Sequence, residues 1–528
     1  MSPPCVAAGV QAGADSQCLA SDRRAVLMLT VLGSSMAFMD GSVVNVALPT
    51  LQASFRATSY HILWVVQAHS LLGSALLLFC GALGDRFGRT RIYLLGVAVF
   101  AVASLGCAAS FNLIELILAR AIQGFGAALL IPQALAILSD TYPKGERAGA
   151  IGTWSAWTSV SIALGPILGG WLIQVSGWRA IFLLNIPLTV WIMWLALKLR
   201  GVTIDRSAVA SFPLDYRGAT LNILGFAAIV FALSFVPQIG WKDPRIGFSL
   251  FAGFVLLFAF VLSQRSRPNP LVPLSLFHSS AFSGANVLTF LAYGALGGAF
   301  YVVPYFLIGA RHLSPSSAGA AFLPMIAIMF ALSGRVGTIA SKVGEVKFMV
   351  VGSALTAGGF ALLGLVANEA RYAFGFLPGV LLLGVGITLT VAPLTSFLMS
   401  SVVASRRGVA SAVNNSVSRL GGLISVSIVA LAMSHTFNLE FGRQMQSSGL
   451  PAEMQHMLVH SEGLMLSLPI PQQFGSSQAL RGEEIVERSF VTAYRNVMFG
   501  CAFTTLFGTL VILTTARKSR LALESAET

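Results

Sequence analysis

Charge is what this sequence has least of. Asp, Glu, Lys and Arg make up 10% of its 528 residues, against about a quarter in an ordinary soluble protein. A soluble chain of this length has too much surface to be covered by so few charges. With 55% hydrophobic residues, a disordered chain is excluded as well. Cysteine is also scarce: Cys5, Cys18, Cys80, Cys107 and Cys501 form no C-x-x-C pair, so neither a metal site nor a disulfide framework is supported. None of the lysines follows a glycine, so the phosphate-cradling P-loop of an ATP-driven pump is missing. No H-E-x-x-H or G-x-S-x-G occurs, which removes the common metallohydrolase and serine-hydrolase sites. No metal, cofactor or catalytic residue is expected.

Long apolar runs fill the space that charge leaves. A membrane-spanning helix needs about 20 apolar residues, and fourteen stretches qualify. They lie at 25–48, 61–83, 92–110, 113–139, 147–175 and 178–199, then 218–237 and 246–263. The last six are 281–309, 316–340, 348–367, 374–400, 409–434 and 491–515. The fold class read from this is an all-α polytopic membrane protein with its helices grouped six, two and six. The domains follow: a tail at 1–24, a six-helix bundle at 25–199, a two-helix insertion with linkers at 200–270, a second bundle at 271–515 containing an external loop at 435–490, and a tail at 516–528. The first residues lack a basic leader region and read as a tail rather than a cleaved signal. An apolar stretch at 463–471 reads as a re-entrant or surface hairpin.

The net charge of +13 is spread over short clusters between the runs, as in cytoplasmic loops of membrane proteins, and not gathered into a nucleic-acid-binding patch. Lys and Arg favour one set of loops by about two to one, which places both termini in the cytoplasm. Internal repetition is visible too. GERAGAIG around Arg147 returns as SRRGVASA around Arg407, Gly124-x-Gly126 as Gly384-x-Gly386, and GDRFGRTR (84–91) as a degenerate echo within 333–347. The offset is about 260 residues, as two six-helix halves around an insertion would give. Transporters commonly carry such repeats and bind substrate between them.

Asp40 is the one carboxylate well inside a predicted span, about 24 Å along the helix from Arg24. A charge at that depth is costly unless paired or wetted, and burial favours the neutral form of a carboxylate, as a proton carrier requires. The alternative role for Asp40 is to cap a helix break near Gly41. Arg120 lies at the same depth on the fourth span and is the expected partner. Arg419, beside Asn414, Asn415, Ser416 and Ser418, is a candidate for the lining of a polar cavity. From residue 281 onward no predicted span contains an acid, which points to neutral or monovalent amphipathic substrates.

With these residues in place the chain resembles the major facilitator superfamily, in particular its fourteen-helix drug:proton antiporter branch. MDGSVVNVALP (39–49), GALGDRFGRTR (81–91), ARAIQGFGAA (119–128) and LGPILGG (164–170) carry the resemblance in order, with GWRAIFLLNIP (177–187), LDYRGATL (214–221) and LSPSSAGAAFLP (313–324). Ser42, Thr90 and Ser161 depart from the usual residues of these motifs. The resemblance implies proton-coupled export of amphipathic small molecules by alternating access in the inner membrane of a bacterium. Asp40 and Arg120 would couple the proton; Asn45, Gln123, Asn414, Asn415 and Arg419 would line the substrate cavity. Gating would fall to Asp85, Arg86, Gly88, Arg89, Asp140, Gly165, Pro166, Gly169 and Gly170, with Arg89 pairing Asp140 and Asp85 against the helix starting near Gly408. The implied partners are small amphipathic substrates, protons and the lipid bilayer, without nucleic acid, for a monomeric chain that meets a periplasmic adaptor if its host is Gram-negative. Two other readings stay open: a same-fold carrier of one metabolite or lipid, uncoupled or not, and a membrane sensor or enzyme.

Overall fold

The computed structural model describes residues 20–199, 214–267, 270–369, 371–403, 407–460, 465 and 476–527, which form helices joined by short loops, with no strand among them. The first part of the chain forms α1 (Ala20–Phe55), α2 (Ser59–Ala75), α3 (Leu77–Phe87), α4 (Arg89–Ala109), α5 (Leu113–Thr141), α6 (Lys144–Ser176), α7 (Arg179–Leu183) and α8 (Asn185–Lys198). Two helices follow, α9 (Tyr216–Ile239) and α10 (Pro244–Arg265). The remainder gives α11 (Ser280–Pro304), α12 (Pro315–Ala320), α13 (Leu323–Val343), α14 (Glu345–Leu365), α15 (Tyr372–Gly375), α16 (Leu377–Ser400), α17 (Arg407–Gln446), α18 (Ala452–His460) and α19 (Ser476–Glu527). Among the described residues thirteen helical stretches are long and apolar enough to cross a bilayer. The pair α2–α3, bent by 49°, makes a fourteenth when counted as one span. The chain is therefore a multi-pass membrane protein.

Several predicted spans are interrupted. The 178–199, 316–340 and 374–400 runs each divide into a short helix and a long one. In all three a proline (Pro187, Pro324, Pro378) stands in the first turn of the longer helix, where its missing N–H costs nothing and its ring blocks continuation backward. The 281–309 run is not broken at Gly297 or Gly298; it continues to Pro304 and relaxes into a π-helical turn at Tyr305–Ala310. Helix α1 runs unbroken through Gly41 and Pro49, so Asp40 does not cap a break.

The segment 435–490, read from sequence as an external loop, is largely folded. Helix α17 extends to Gln446 and α19 begins at Ser476. Phe437, Phe441, Met445, Met454 and Leu458 join Ile485 and Phe490 in the main apolar core. The anticipated hairpin at 463–471 lies outside the described residues except Met465.

Helix α1 packs along α6 and against α5; α4 and α2 pack on α5. In the later part α14 packs on α16 and α19, and α11 on α17 and α19. The repeat seen in sequence reappears as geometry. A Cβ on Gly126 would press on the backbone of Phe100 and Gly96, and one on Gly386 on Thr356 and Gly352. The α4–α5 and α14–α16 crossings are thus the same bare-backbone contact, made by residues about 260 apart. Gly88 (φ 102) and Gly344 (φ 118) likewise make the same left-handed turn before α4 and α14. Such a φ penalises any side chain. Gly88→Ala is expected to destabilise the fold by about 1 kcal/mol, measurable as a lower thermal midpoint in detergent.

Helices α9 and α10 pack on each other, and α9 lies against α2 and α17. Phe248, Phe251, Phe254 and Phe258 leave α10 with an exposed aromatic face, the surface a lipid-facing helix presents.

Candidate functional site

Asp40 and Arg120, at equal depth by helical rise, are in contact. The Arg120 Nη1 bonds Asp40 Oδ2, and both side chains are 1% exposed. Taking two charges out of water costs several kcal/mol per ion unless the remaining polar atoms find partners. Here they do. Asp40 Oδ1 accepts from Gln123 Nε2 at 2.9 Å and Asn185 Nδ2 at 3.0 Å. Arg120 Nε donates to the Val65 carbonyl at 3.0 Å, and its Nη1 also donates to Gln123 Oε1. Ser104 Oγ accepts from Gln123 at 2.8 Å and from Asn185 at 3.2 Å, and donates to the Phe100 carbonyl. The guanidinium lies 5.9 Å from the Phe182 ring centroid. Side chains from α1, α4, α5 and α8 and a backbone carbonyl of α2 thus meet in one satisfied network.

Asn185 and Ser104 were not foreseen. Asn185 stands within the quoted motif LLNIP as a lone amide in an apolar run, a readable signal; Ser104 gives none. Gln123, expected on a cavity wall, is fully buried and belongs to this network. Asn414 is also committed elsewhere, donating to Asn286 Oδ1 and Thr289 Oγ1, while Asn415 is exposed. Asn45 is half-buried on α1 with its Oδ1 unpartnered. Arg419 lies over the Phe38 ring at 5.0 Å. A cavity of about 410 Å³ has none of these in its lining; Gln52, Tyr60, Ser234, Tyr301, Tyr305 and Asn438 are among its walls.

The LGPILGG motif holds α6 against two neighbours at once. A Cβ on Gly165 would collide with Ser42 Oγ and one on Gly169 would lie 2.9 Å from Val43 Cγ1, so this face rests on the α1 residues that flank Asp40. On the other face a Cβ on Gly170 would collide with the Pro315 carbonyl, and one on Gly319 with the Pro166 carbonyl. Ser316 Oγ adds a hydrogen bond to Gln174 Oε1. The contact between α6 and α12 is backbone on backbone, possible only without side chains.

Where α3, α4 and α5 meet, Arg89 bonds Asp140 at 2.6 Å and Asp85 at 2.8 Å. Asp85 therefore spends an oxygen on Arg89; its anticipated neighbour Gly408 lies outside the residues whose surroundings are described. All three residues belong to α3, α4 and α5, so this cluster ties helices of one repeat. Arg86 lies over the Phe87 ring at 5.3 Å. Reversing Arg89 or Asp140 alone is expected to reduce transport several-fold, with partial recovery in the double exchange Arg89→Asp with Asp140→Arg. A double variant no better than either single one would show that the pair does not act directly. Glu115, the other acid near a span interior, accepts from the Phe111 N–H at 2.8 Å while Asn112 caps its own N–H; it is exposed and serves the start of α5.

A repeated, many-spanning helical chain with a self-contained ion pair at its centre has the build of a secondary transporter. Residues 30–426 match the family model of the Major Facilitator Superfamily, and the chain belongs to that family. It is 32% identical over 409 residues to the multidrug resistance protein Stp of Mycobacterium tuberculosis, covering 77% of this chain and 75% of that one. It is 31% identical over 484 residues to the tetracenomycin C resistance and export protein of Streptomyces glaucescens, covering 90% and 88%, and 33% identical over 409 residues to the methylenomycin A resistance protein of Bacillus subtilis, covering 77% and 86%. Among solved structures, a bacterial homologue of the lysosomal transporter Spinster matches with a TM-score of 0.60 at 18% identity over 94% of this chain and 99% of that one. The chain is a membrane transporter.

Proposed function

We propose that this transporter is a proton-coupled exporter of amphipathic small molecules, a multidrug or antibiotic efflux protein that works by alternating access between two six-helix halves joined by α9 and α10. The observation that carries the reading is the Asp40 network. Among the described residues two carboxylates are buried, and the other, Asp215, caps α9. Asp40 is the one placed in mid-helix. Protonating it removes its attraction for Arg120, and the helices that the pair joins are then free to move apart. The names of the relatives, all resistance or export proteins, support the substrate class.

The motif on α6 supplies the mechanical link. One of its faces rests on Met39, Ser42 and Val43 around the proton site, and its other face rests on α12 of the second half. A change in the seat of α1 reaches the contact between the halves through a single rigid helix. On the orientation given by the loop charges, the α6–α12 contact closes the outer side, both termini are cytoplasmic, and the membrane is the bacterial inner membrane. Gly165, Pro166, Gly169 and Gly170 act as the gate. Asp85, Gly88, Arg89 and Asp140 hold the cytoplasmic loop of the first half in shape.

The test is a drug-sensitivity profile of a deletion strain carrying wild type, Asp40→Asn or an empty plasmid. Wild type should restore resistance to a set of amphipathic compounds, and Asp40→Asn should resemble the empty plasmid at equal membrane abundance. Equal resistance from wild type and Asp40→Asn would remove Asp40 from the mechanism.

A further inference from the structure

The charges within the helices do not balance. Asp40 and Arg120 cancel each other, whereas Arg419, within the apolar run 409–434, has no such counter-charge among the described residues. Its Nη2 is shut off from solvent with no hydrogen-bond partner, and among the described residues no carboxylate pairs with it. The Phe38 ring lies 5.0 Å from its guanidinium carbon. An unneutralised cation at this depth is costly, and a ring face offsets only part of the cost.

The surroundings add unmet polar atoms without adding negative charge. Helices α2 and α17 are pinned together by Gln67, whose Nε2 donates to the Leu423 carbonyl at 3.1 Å and to Ser427 Oγ at 2.7 Å. Beside this crossing, Trp64 Nε1 and His69 Nδ1 are buried without partners. Trp64 and Leu420, the residue after Arg419, both pack against the apolar cluster of Leu71, Val230 and Leu423. His69 lies edge-on to Phe100 at 6.3 Å and within charge-interaction range of both Arg120 and Arg419. Buried polar atoms left open in this way mark a place that a ligand or water completes. Phe38 on α1 and Arg419 on α17 come from different parts of the chain, so the place spans both halves; Phe38 and Asp40, two residues apart, face different sides of α1.

We propose that Arg419, with the Phe38 ring against it, binds the anionic group of the exported molecule, so that the substrate class is an amphipathic organic monoanion such as an aromatic carboxylate. The assignment rests on the export reading and narrows it. With Asp40 ionised its network is neutral, and Arg419, which lies outside that network, carries the positive charge that a monoanion neutralises. Arg presents paired N–H donors that match a carboxylate, and the Phe38 ring gives an aromatic body a face to stack on.

The test uses the full chain purified in detergent, with thermal unfolding followed during titration with 1-naphthoate, 2-naphthoate and salicylate, each paired with its uncharged amide. A ligand that binds the folded state raises the midpoint. At least one carboxylate should bind ten-fold or more tightly than its amide. Arg419→Gln should erase that preference and Arg419→Lys should retain part of it. Phe38→Leu, which leaves the charge in place, should weaken every carboxylate that binds and serves if Arg419→Gln does not fold. If no carboxylate surpasses its amide in the wild type, or if Arg419→Gln keeps the preference, the assignment is wrong. Failure of the export reading shows separately, as absence of pH-gradient-driven transport of any compound; driven export of uncharged compounds alone overturns the anion site and leaves that reading intact.

Discussion

Asp40→Asn is expected to abolish accumulation of substrate against its gradient, leave some downhill exchange, and destabilise the folded chain by about 3–5 kcal/mol, the cost of leaving one member of a buried ion pair uncompensated. The loss is predictable in detail. Asp40 accepts from Arg120 on one oxygen and from Gln123 and Asn185 on the other. An Asn has a single acceptor to offer, and its NH2 then points at donors. Arg120→Gln should cost about as much. The double variant Asp40→Asn with Arg120→Gln should recover a large part of the stability, because both charges leave the interior, yet recover none of the uphill transport, because nothing titrates. Thermal unfolding in detergent and uptake by proteoliposomes separate the two effects. Losses of stability that simply add would show that the two residues do not act as a pair.

Gly170→Leu is expected to leave a folded, inserted protein that transports at less than a tenth of the wild-type rate. The added side chain has no room against the Pro315 carbonyl, so α6 and α12 must separate, and the population shifts toward arrangements in which this side is open. Cysteines placed at Gln174 and Ser316, whose side chains are hydrogen-bonded across the contact, report on it directly. Cys80, Cys107 and Cys501 are buried, so only Cys5 and Cys18 in the tail need replacing by Ser first. The pair should cross-link readily with Gly170 present and poorly with Gly170→Leu. Equal cross-linking in both backgrounds would mean that α6 and α12 do not gate transport.

What was legible in the sequence followed from quantities fixed by the backbone. Span number came from apolar length, and the meeting of Asp40 and Arg120 from a constant rise per residue, since depth is the one coordinate a helix gives without knowledge of its neighbours. Rotation about each helix axis is set by packing. That is why Gln123 was assigned to a cavity and instead serves the ion pair, and why Asn414 turned out to be committed to Asn286 and Thr289. Ser104 on α4 and Asn185 on α8 became visible as partners only once those helices had been placed around α1. The region 435–490 misled for a different reason. Glu440, Arg443, Arg481 and Glu484 lower its hydropathy to that of a loop, but the spanning helices continue beyond the apolar zone and bury Phe437, Phe441 and Phe490 against each other's extensions. His312 on the loop before α12 adds a contact to Glu487 on α19.

The central claim is that a proton taken up through Asp40 drives the substrate in the opposite direction. The measurement closest to it is net flux in proteoliposomes as the imposed pH gradient is reversed, using a compound drawn from the resistance profile and subtracting protein-free vesicles. An acidic lumen should draw the compound inward as protons leave, an alkaline lumen should expel it, and Asp40→Asn should do neither. Wild-type flux of the same size and direction under both gradients would contradict the account.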